Sequence, residues 1–258
     1  MIPFPWRGTP PGAPLERAAA MQREHHRWHS PALDREMELL VYGHAGARVV
    51  GFPTSMGRFY QWEDFGLVDA LSRHLDQGWI QLCCVDSVDG ESWYNKAAPP
   101  AVRALRHQQY DRYVADEVLP FTTAQNTNPF LITAGASFGA YHAVNFALRH
   151  PTQVNRAIGM SGLYDISSFA SGDAMDIYFN NPCAYIANEH EPERLAALRA
   201  LDIVLAIGRD DTSCANNEYF SGLLWSKSIG NALRVWDGWA HDWPFWRQMI
   251  QHYIAGHD

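Results

Sequence analysis

The apolar positions of this chain fall into two spacings, short continuous runs and longer segments in which apolar residues recur every three to four positions. The runs at 36–42, 48–52, 79–85, 130–133, 156–161, 202–208 and 233–236 predict strands. Unbroken apolarity is what a strand covered on both faces requires, so 79–85 predicts a central parallel strand. Helical spacing predicts helices over 64–76, with Leu67, Ala70, Leu71 and Leu75 on one face, and over 99–119, with Val102, Leu105, Tyr113 and Val118 inward. Further helices are predicted after 139, where Ala140, Ala143, Val144 and Ala147 share a face, and over 191–200, 216–229 and 243–254. Strands alternating with helices in this way predict an α/β fold, a mostly parallel central sheet with helices on both faces.

No Pro/Gly/Ser linker and no internal repeat interrupts the middle, so one domain over 1–258 is expected. Two stretches lack periodicity. Residues 1–30, which begin rich in Pro and Gly, are expected to be irregular. Residues 162–190 carry Tyr164, Phe169, Met175, Tyr178, Phe179 and Tyr185, more aromatic surface than a plain connection needs. They are expected either to cap or wall a site or simply to fill the core.

Composition narrows the picture. With 47% hydrophobic and 19% charged residues the chain reads as globular and soluble, and no apolar run approaches the roughly twenty residues of a membrane-spanning helix, so no membrane partner is expected. A net charge of -8 disfavours nucleic acid, since no basic stripe is present to neutralise phosphates. The N-terminus lacks a basic start followed by an apolar core, from which a cytoplasmic location is expected. Cys83, Cys84, Cys183 and Cys214 make no metal-finger spacing; Cys83 and Cys84 should face opposite sides of one strand, buried and reduced. His25 and His29, four apart beside His26, could hold a metal on a helix face, but no neighbouring carboxylate or cysteine completes a site, and a solvated or packed cluster is the expectation.

The chemistry gathers at Gly135-Ala-Ser137-Phe-Gly139, which joins the 130–133 strand to the helix that follows. A tight strand-to-helix turn holds its central residue in a strained conformation, and small residues two before and two after it let strand and helix approach. The Ser137 hydroxyl then stands at the carboxyl edge of the sheet beside the first helical amides, which suits attack on a carbonyl. A serine needs a base and a group to orient that base. The 202–208 strand ends in Gly208-Arg-Asp210-Asp211, placing a carboxylate at the same edge; Asp211 is preferred, with Asp210 the near rival and Asp165 a distant one. His241, in the loop between the last strand and the last helix, supplies the base. Serine, aspartate and histidine, each after its own strand, is the chain order of α/β-hydrolases. The oxyanion amides are expected from Phe138 and from the loop after Phe52, where Thr54, Ser55 and Met56 compete and Ser55 is favoured. Trp62, Trp93, Tyr94 and Trp243 suggest an aromatic-lined substrate cleft, tryptophan being as often core.

Phe59-Tyr-Gln-Trp-Glu-Asp-Phe65, Gly135-Ala-Ser137-Phe-Gly139, Gly208-Arg-Asp-Asp211 and His241-Asp-Trp-Pro-Phe-Trp246 together resemble the esterase branch of the α/β-hydrolases. That group contains esterase D, enterochelin esterase-like proteins, feruloyl esterases and the mycolyltransferases. The likeness spans residues 35–256 and implies an α/β-hydrolase fold and acyl transfer through a Ser137 acyl-enzyme, with no metal or organic cofactor. It implies a serine carboxylester hydrolase acting on a small or medium acyl ester. The alternative is an acyltransferase that hands the acyl group to an alcohol or sugar, and a non-catalytic binding protein is the third reading. The loop Pro53-Thr-Ser-Met-Gly57 departs from the Gly-Leu type of several relatives, and the secretion signal of mycolyltransferases is missing. Oligomeric state stays open, a homo-oligomer included.

Overall fold

A computed structural model describes residues 21–170 and 175–255. In chain order they form β1 (Arg23–Ser30), β2 (Arg35–Tyr42), β3 (Ala47–Phe52), α1 (Gln61–Asp64), α2 (Leu67–Ala70), α3 (Ser72–Asp76) and β4 (Ile80–Val85). Next come α4 (Pro100–Tyr113), a π-helical turn (Val114–Val118), α5 (Leu119–Gln125), β5 (Leu131–Ala136), α6 (Phe138–Arg149) and β6 (Arg156–Met160). The chain ends through α7 (Met175–Tyr178), α8 (Pro182–Ala187), α9 (Pro192–Arg199), β7 (Asp202–Gly208), α10 (Cys214–Ser226), β8 (Ala232–Trp236) and α11 (Trp243–Tyr253).

The strands make one eight-stranded sheet in the order β1-β2-β4-β3-β5-β6-β7-β8. β1 and β2 are antiparallel to each other, β2 is antiparallel to β4, and every pairing from β4 to β8 is parallel. This is the α/β-hydrolase arrangement that the periodicity and the resemblance predict. The chain passes from β3 outward to β4 and then back past β3 to β5, so the order reverses there. Phe52 pairs with Gly135, and the loops leaving β3 and β5 therefore emerge side by side at the carboxyl edge, where open α/β sheets form their crevice.

Strand side chains alternate between two cores, as pleated geometry requires. Leu39, Val41, Val50 and Cys83 pack toward one, Leu40, Tyr42, Val49 and Cys84 toward the other. Burial pushes the Cys83 thiol up to about 12, and Cys83, Cys84 and Cys183 are buried free thiols. Residues 138–148 of α6 are buried without exception, as a helix apolar on every face must be.

The structure corrects four expectations. Residues 23–30, read as irregular, form β1, whose register with β2 spans Arg23 to Ser30; residues 1–20 lie outside the described residues. Its alternating charged side chains hid the strand from a search for apolar runs: His25 pairs with Glu38 (3.1 Å) and His29 with Asp34 (3.2 Å), which places the histidines on a strand instead of a helix. Among the described residues no cluster of His, Cys, Asp or Glu could hold a metal.

The 64–76 helix is broken into α1–α3, because Gly66 turns left-handed (φ 76°) and Leu71 interrupts the next turn. On α4, Val102 and Leu105 are exposed (52% and 46%), while Arg103, Ala104, His107, Tyr110 and Tyr113 face inward. The reason is polar: Arg103 Nη1 donates to the carbonyls of Phe169 (2.7 Å) and Trp93 (3.2 Å), and Tyr110 Oη donates to that of Asp86 (2.7 Å). The described part of 162–190 packs into two cores. Tyr164 and Tyr185 fill the main core, while Ile166, Ala170 and Ile177 join Trp93, Ala104, Phe138 and Tyr141 in a smaller cluster against the first turn of α6.

Candidate active site

Ser137 sits between β5 and α6 at φ 54°, ψ −121°, a backbone conformation that L-residues avoid. The turn is held by its neighbours. A Cβ on Gly135 would overlap the Gly139 carbonyl, and one on Gly139 would overlap the carbonyls of Phe52 and Pro53, so both positions need glycine. Ser137 N–H donates to the Met160 carbonyl (2.8 Å), tying the elbow to β6.

His241 Nε2 lies 3.1 Å from Ser137 Oγ, and His241 Nδ1 lies 2.6 Å from Asp211 Oδ2. A carboxylate only accepts, so Nδ1 carries the proton and Nε2 is left to accept from the serine hydroxyl. The Asp211 side chain is 1% exposed and that of His241 24% exposed. The other carboxylate oxygen, Asp211 Oδ1, accepts from Ser213 N–H (2.8 Å). Three residues from three loops thus meet in one hydrogen-bonded series at the sheet's carboxyl edge. Asp210 is exposed. Asp165 Oδ1 accepts from Ser167 N–H and Asn181 Nδ2, both at 2.9 Å, which makes it a turn cap.

The loop after β3 lies against the elbow. A turn closed by Gly57 N–H on the Thr54 carbonyl (2.9 Å) carries Met56 at φ 58°, a position glycine usually fills. Thr54 N–H donates to Gln61 Oε1 (2.8 Å) and Met56 N–H to Asp89 Oδ2 (3.0 Å). Ser55 N–H is then the one amide of Thr54–Gly57 without a protein acceptor among the described residues. Phe138 N–H heads α6, where no intrahelical acceptor exists.

Two of the proposed cleft residues are not in a cleft. Trp62 is 1% and Trp93 0% exposed. Trp62 lies under the sheet against Gly51, donating its indole N–H to the Phe52 carbonyl (3.0 Å), and Trp93 packs in the small cluster beside His107. Tyr94 is at the site: its hydroxyl donates to Ser55 Oγ (2.7 Å), and its ring meets Phe138 (5.2 Å) and Phe169 (5.3 Å) edge-on. Burial pushes the Tyr94 hydroxyl up from its ordinary value against the pull of the Ser55 bond. Trp243 stacks on Phe65 (4.3 Å) and meets Trp246 edge-on (4.9 Å).

Sequence reasoning gave no role to the residues that hold His241. Ser161, at φ 53° after β6, donates from Oγ to the Ala240 carbonyl (3.1 Å) and accepts from Trp246 Nε1 (3.0 Å). Trp246 meets the His241 ring edge-on (5.4 Å), and the exposed Trp239 stacks on its face (5.5 Å). Ser161 is signalled by position, ending a strand at the edge where Ser137 and Asp211 also lie, and Trp246 by the His241–Trp246 motif. A cavity of about 510 Å³ lined by Gln108, Arg149, Tyr178, Tyr185 and Arg194 borders the far end of α6 and takes no part in this arrangement.

The family described as "Putative esterase" matches residues 30–254. None of the curated proteins matches the chain by sequence. Among solved structures, a ferulic acid esterase superposes with a TM-score of 0.73 at 18% identity, over 91% of this chain and 96% of that one. An S-formylglutathione hydrolase from Agrobacterium tumefaciens gives 0.70 at 15% identity, over 91% and 94%. A ferulic acid esterase from Anaeromyces mucronatus in complex with ferulic acid gives 0.70 at 11%, over 94% and 92%. At these identities the structures share the fold.

Proposed function

We propose that the chain, which belongs to this esterase family, is a serine carboxylester hydrolase that cleaves a small or medium acyl ester through an acyl-enzyme on Ser137. Ser137 Oγ attacks the ester carbonyl carbon while its proton passes to His241 Nε2; the imidazolium returns that proton to the leaving alcohol as the C–O bond breaks. Water then attacks the acyl-enzyme, again giving a proton to His241, and the acid departs with Ser137 restored. Asp211 fixes the tautomer and orientation of His241 and stabilises the imidazolium. The amides of Ser55 and Phe138 receive the oxyanion of both tetrahedral intermediates. Tyr94, bonded to Ser55 and edge-on to Phe138, offers aromatic surface beside these amides, and a small-molecule ester with a flat acyl or alcohol part suits it.

The support for this reading comes above all from the continuous bonds Asp211 to His241 to Ser137, with the serine strained at the head of a buried helix. Its test is direct. Ser137→Ala and His241→Ala are expected to lower turnover of an activated ester by several orders of magnitude with an unchanged circular-dichroism spectrum, and a fluorophosphonate is expected to label wild type at Ser137. Folded variants with near wild-type rates, or label on another residue, would overturn it. A panel of acyl lengths and aroyl esters then defines the substrate.

A further inference from the structure

One buried carboxylate sits between the two halves of the oxyanion site. Asp89, in the loop after β4, is 1% exposed, as is its partner His142. Its Oδ2 accepts from Met56 N–H (3.0 Å) and its Oδ1 from His142 Nε2 (2.9 Å). Met56 belongs to the turn that presents Ser55 N–H. His142 lies one helical turn after Phe138 on α6, its ring edge-on to that of Phe138 (5.0 Å). A single side chain therefore joins the loop that carries one amide donor to the helix that carries the other.

We propose that Asp89 is a positioning residue that sets the spacing of the Ser55 and Phe138 amides, with His142 as its anchor on α6; the proposal rests on the acyl-enzyme reading above.

The turn needs such a clamp. Met56 holds φ 58° although it has a side chain, and a residue with a Cβ relaxes toward negative φ when nothing opposes it. Relaxation rotates the Ser55–Met56 peptide and carries Met56 N–H away from its present direction. A carboxylate acceptor is a strong opponent, because charge-assisted bonds are about twice as strong as neutral ones. Two further bonds from the same loop hold the turn: Tyr94 Oη donates to Ser55 Oγ (2.7 Å) and Ser87 Oγ to the Gly57 carbonyl (2.7 Å). The Ser87 bond does not reach α6 and Tyr94 reaches it only by ring packing on Phe138, whereas the Asp89 carboxylate is hydrogen-bonded on both sides. On the helix side, His142 Nε2 is fixed as a donor because its acceptor is a carboxylate, and α6 is too deeply buried to shift. The site thus obtains a fixed gap between its donors, and an oxyanion is sensitive to that gap whereas a planar ester is not.

The test compares Asp89→Ala and Asp89→Asn with wild type on kcat, KM and the affinity of a trifluoromethyl ketone, whose adduct with Ser137 is itself a tetrahedral oxyanion. Removal of the acceptor in Asp89→Ala is expected to lower kcat by about 10–100-fold, below the loss of about 10²–10³ seen when a donor is deleted outright. KM is expected to change little, and ketone affinity to fall by the same factor as kcat/KM. Asp89→Asn keeps an acceptor for Met56 N–H and is expected to recover most of the loss, standing several-fold below wild type. If the alanine variant does not fold, the asparagine variant carries the test through the parallel fall of kcat and ketone affinity. A kcat equal to wild type in the folded variants, or a fall in kcat with ketone affinity intact, would overturn the proposal. Fluorophosphonate labelling separates the two levels: unlabelled Ser137 in wild type removes the acyl-enzyme reading and this proposal with it, whereas labelled Ser137 with unaffected Asp89 variants removes only the proposal.

Discussion

Asp210 and Asp211 stand side by side after β7, yet only Asp211 turns its carboxylate onto His241, 2.6 Å away, while Asp210 is exposed. Backbone geometry decides between them: Asp210 N–H is bound to the Gly238 carbonyl (3.0 Å) and Asp211 N–H to that of Gly208 (3.1 Å), so the loop turns inward one residue late. Asp211→Asn is expected to lower kcat by about 10⁴-fold, because an amide stabilises the wrong imidazole tautomer, whereas Asp210→Asn is expected to stay within about two-fold of wild type. Steady-state kinetics on the two variants checks both. Ser137, Asp211 and His241 were legible because each lies at the end of an apolar strand, where sequence order alone limits the choice. Trp62 was not, since its burial follows from Gly51 opposite, which leaves room for an indole ring at 3.2 Å from where a Cβ would stand. Residue type carries no information about such a neighbour.

At the scale of elements, strands and helix ends were the legible part. β3–β8 follow apolar runs, and prolines stand in the first turn of α4, α8, α9 and α11, where their missing N–H is harmless. The inward face of α4 was not legible, because a moment drawn from apolar residues cannot see Arg103 donating to loop carbonyls or His107 beside a tyrosine hydroxyl. His107 has a measurable consequence. It is buried, with Nε2 3.2 Å from Tyr141 Oη, and burial foremost pushes its imidazole well below the ordinary value. Folded His107 thus refuses a proton that the unfolded chain binds near its ordinary pKa of about 6.5. Its contribution to stability is complete above that pH and is lost as pH falls below it. Denaturant titrations from pH 7.5 to 5 are expected to show stability falling as pH drops, with a slope shallower by up to about 1.4 kcal/mol per pH unit in His107→Gln. Equal slopes would show that another group carries the effect.

For the molecule as a whole, the reversal of strand order between β3 and β5 brings the loop after β3 and the elbow together, and no single segment of sequence states that adjacency. It emerges from the pairing of Phe52 with Gly135, far apart in the chain, which is why the resemblance to a family reached further than periodicity did. The sheet also distributes depth unequally. Every residue of β5, behind Ser137, is buried, whereas β8, from which the His241 loop departs, is an edge strand with no buried residue. Ser137 and His241 therefore hang from the most and the least secure timbers of one frame, and loosening at the periphery parts them while the interior still stands. Heat is expected to disarm the enzyme before melting it: hydrolysis followed at temperature should cease several degrees below the circular-dichroism midpoint, then return in full when the sample is cooled from that interval. Superimposed curves for activity and ellipticity would show instead that both supports give way together.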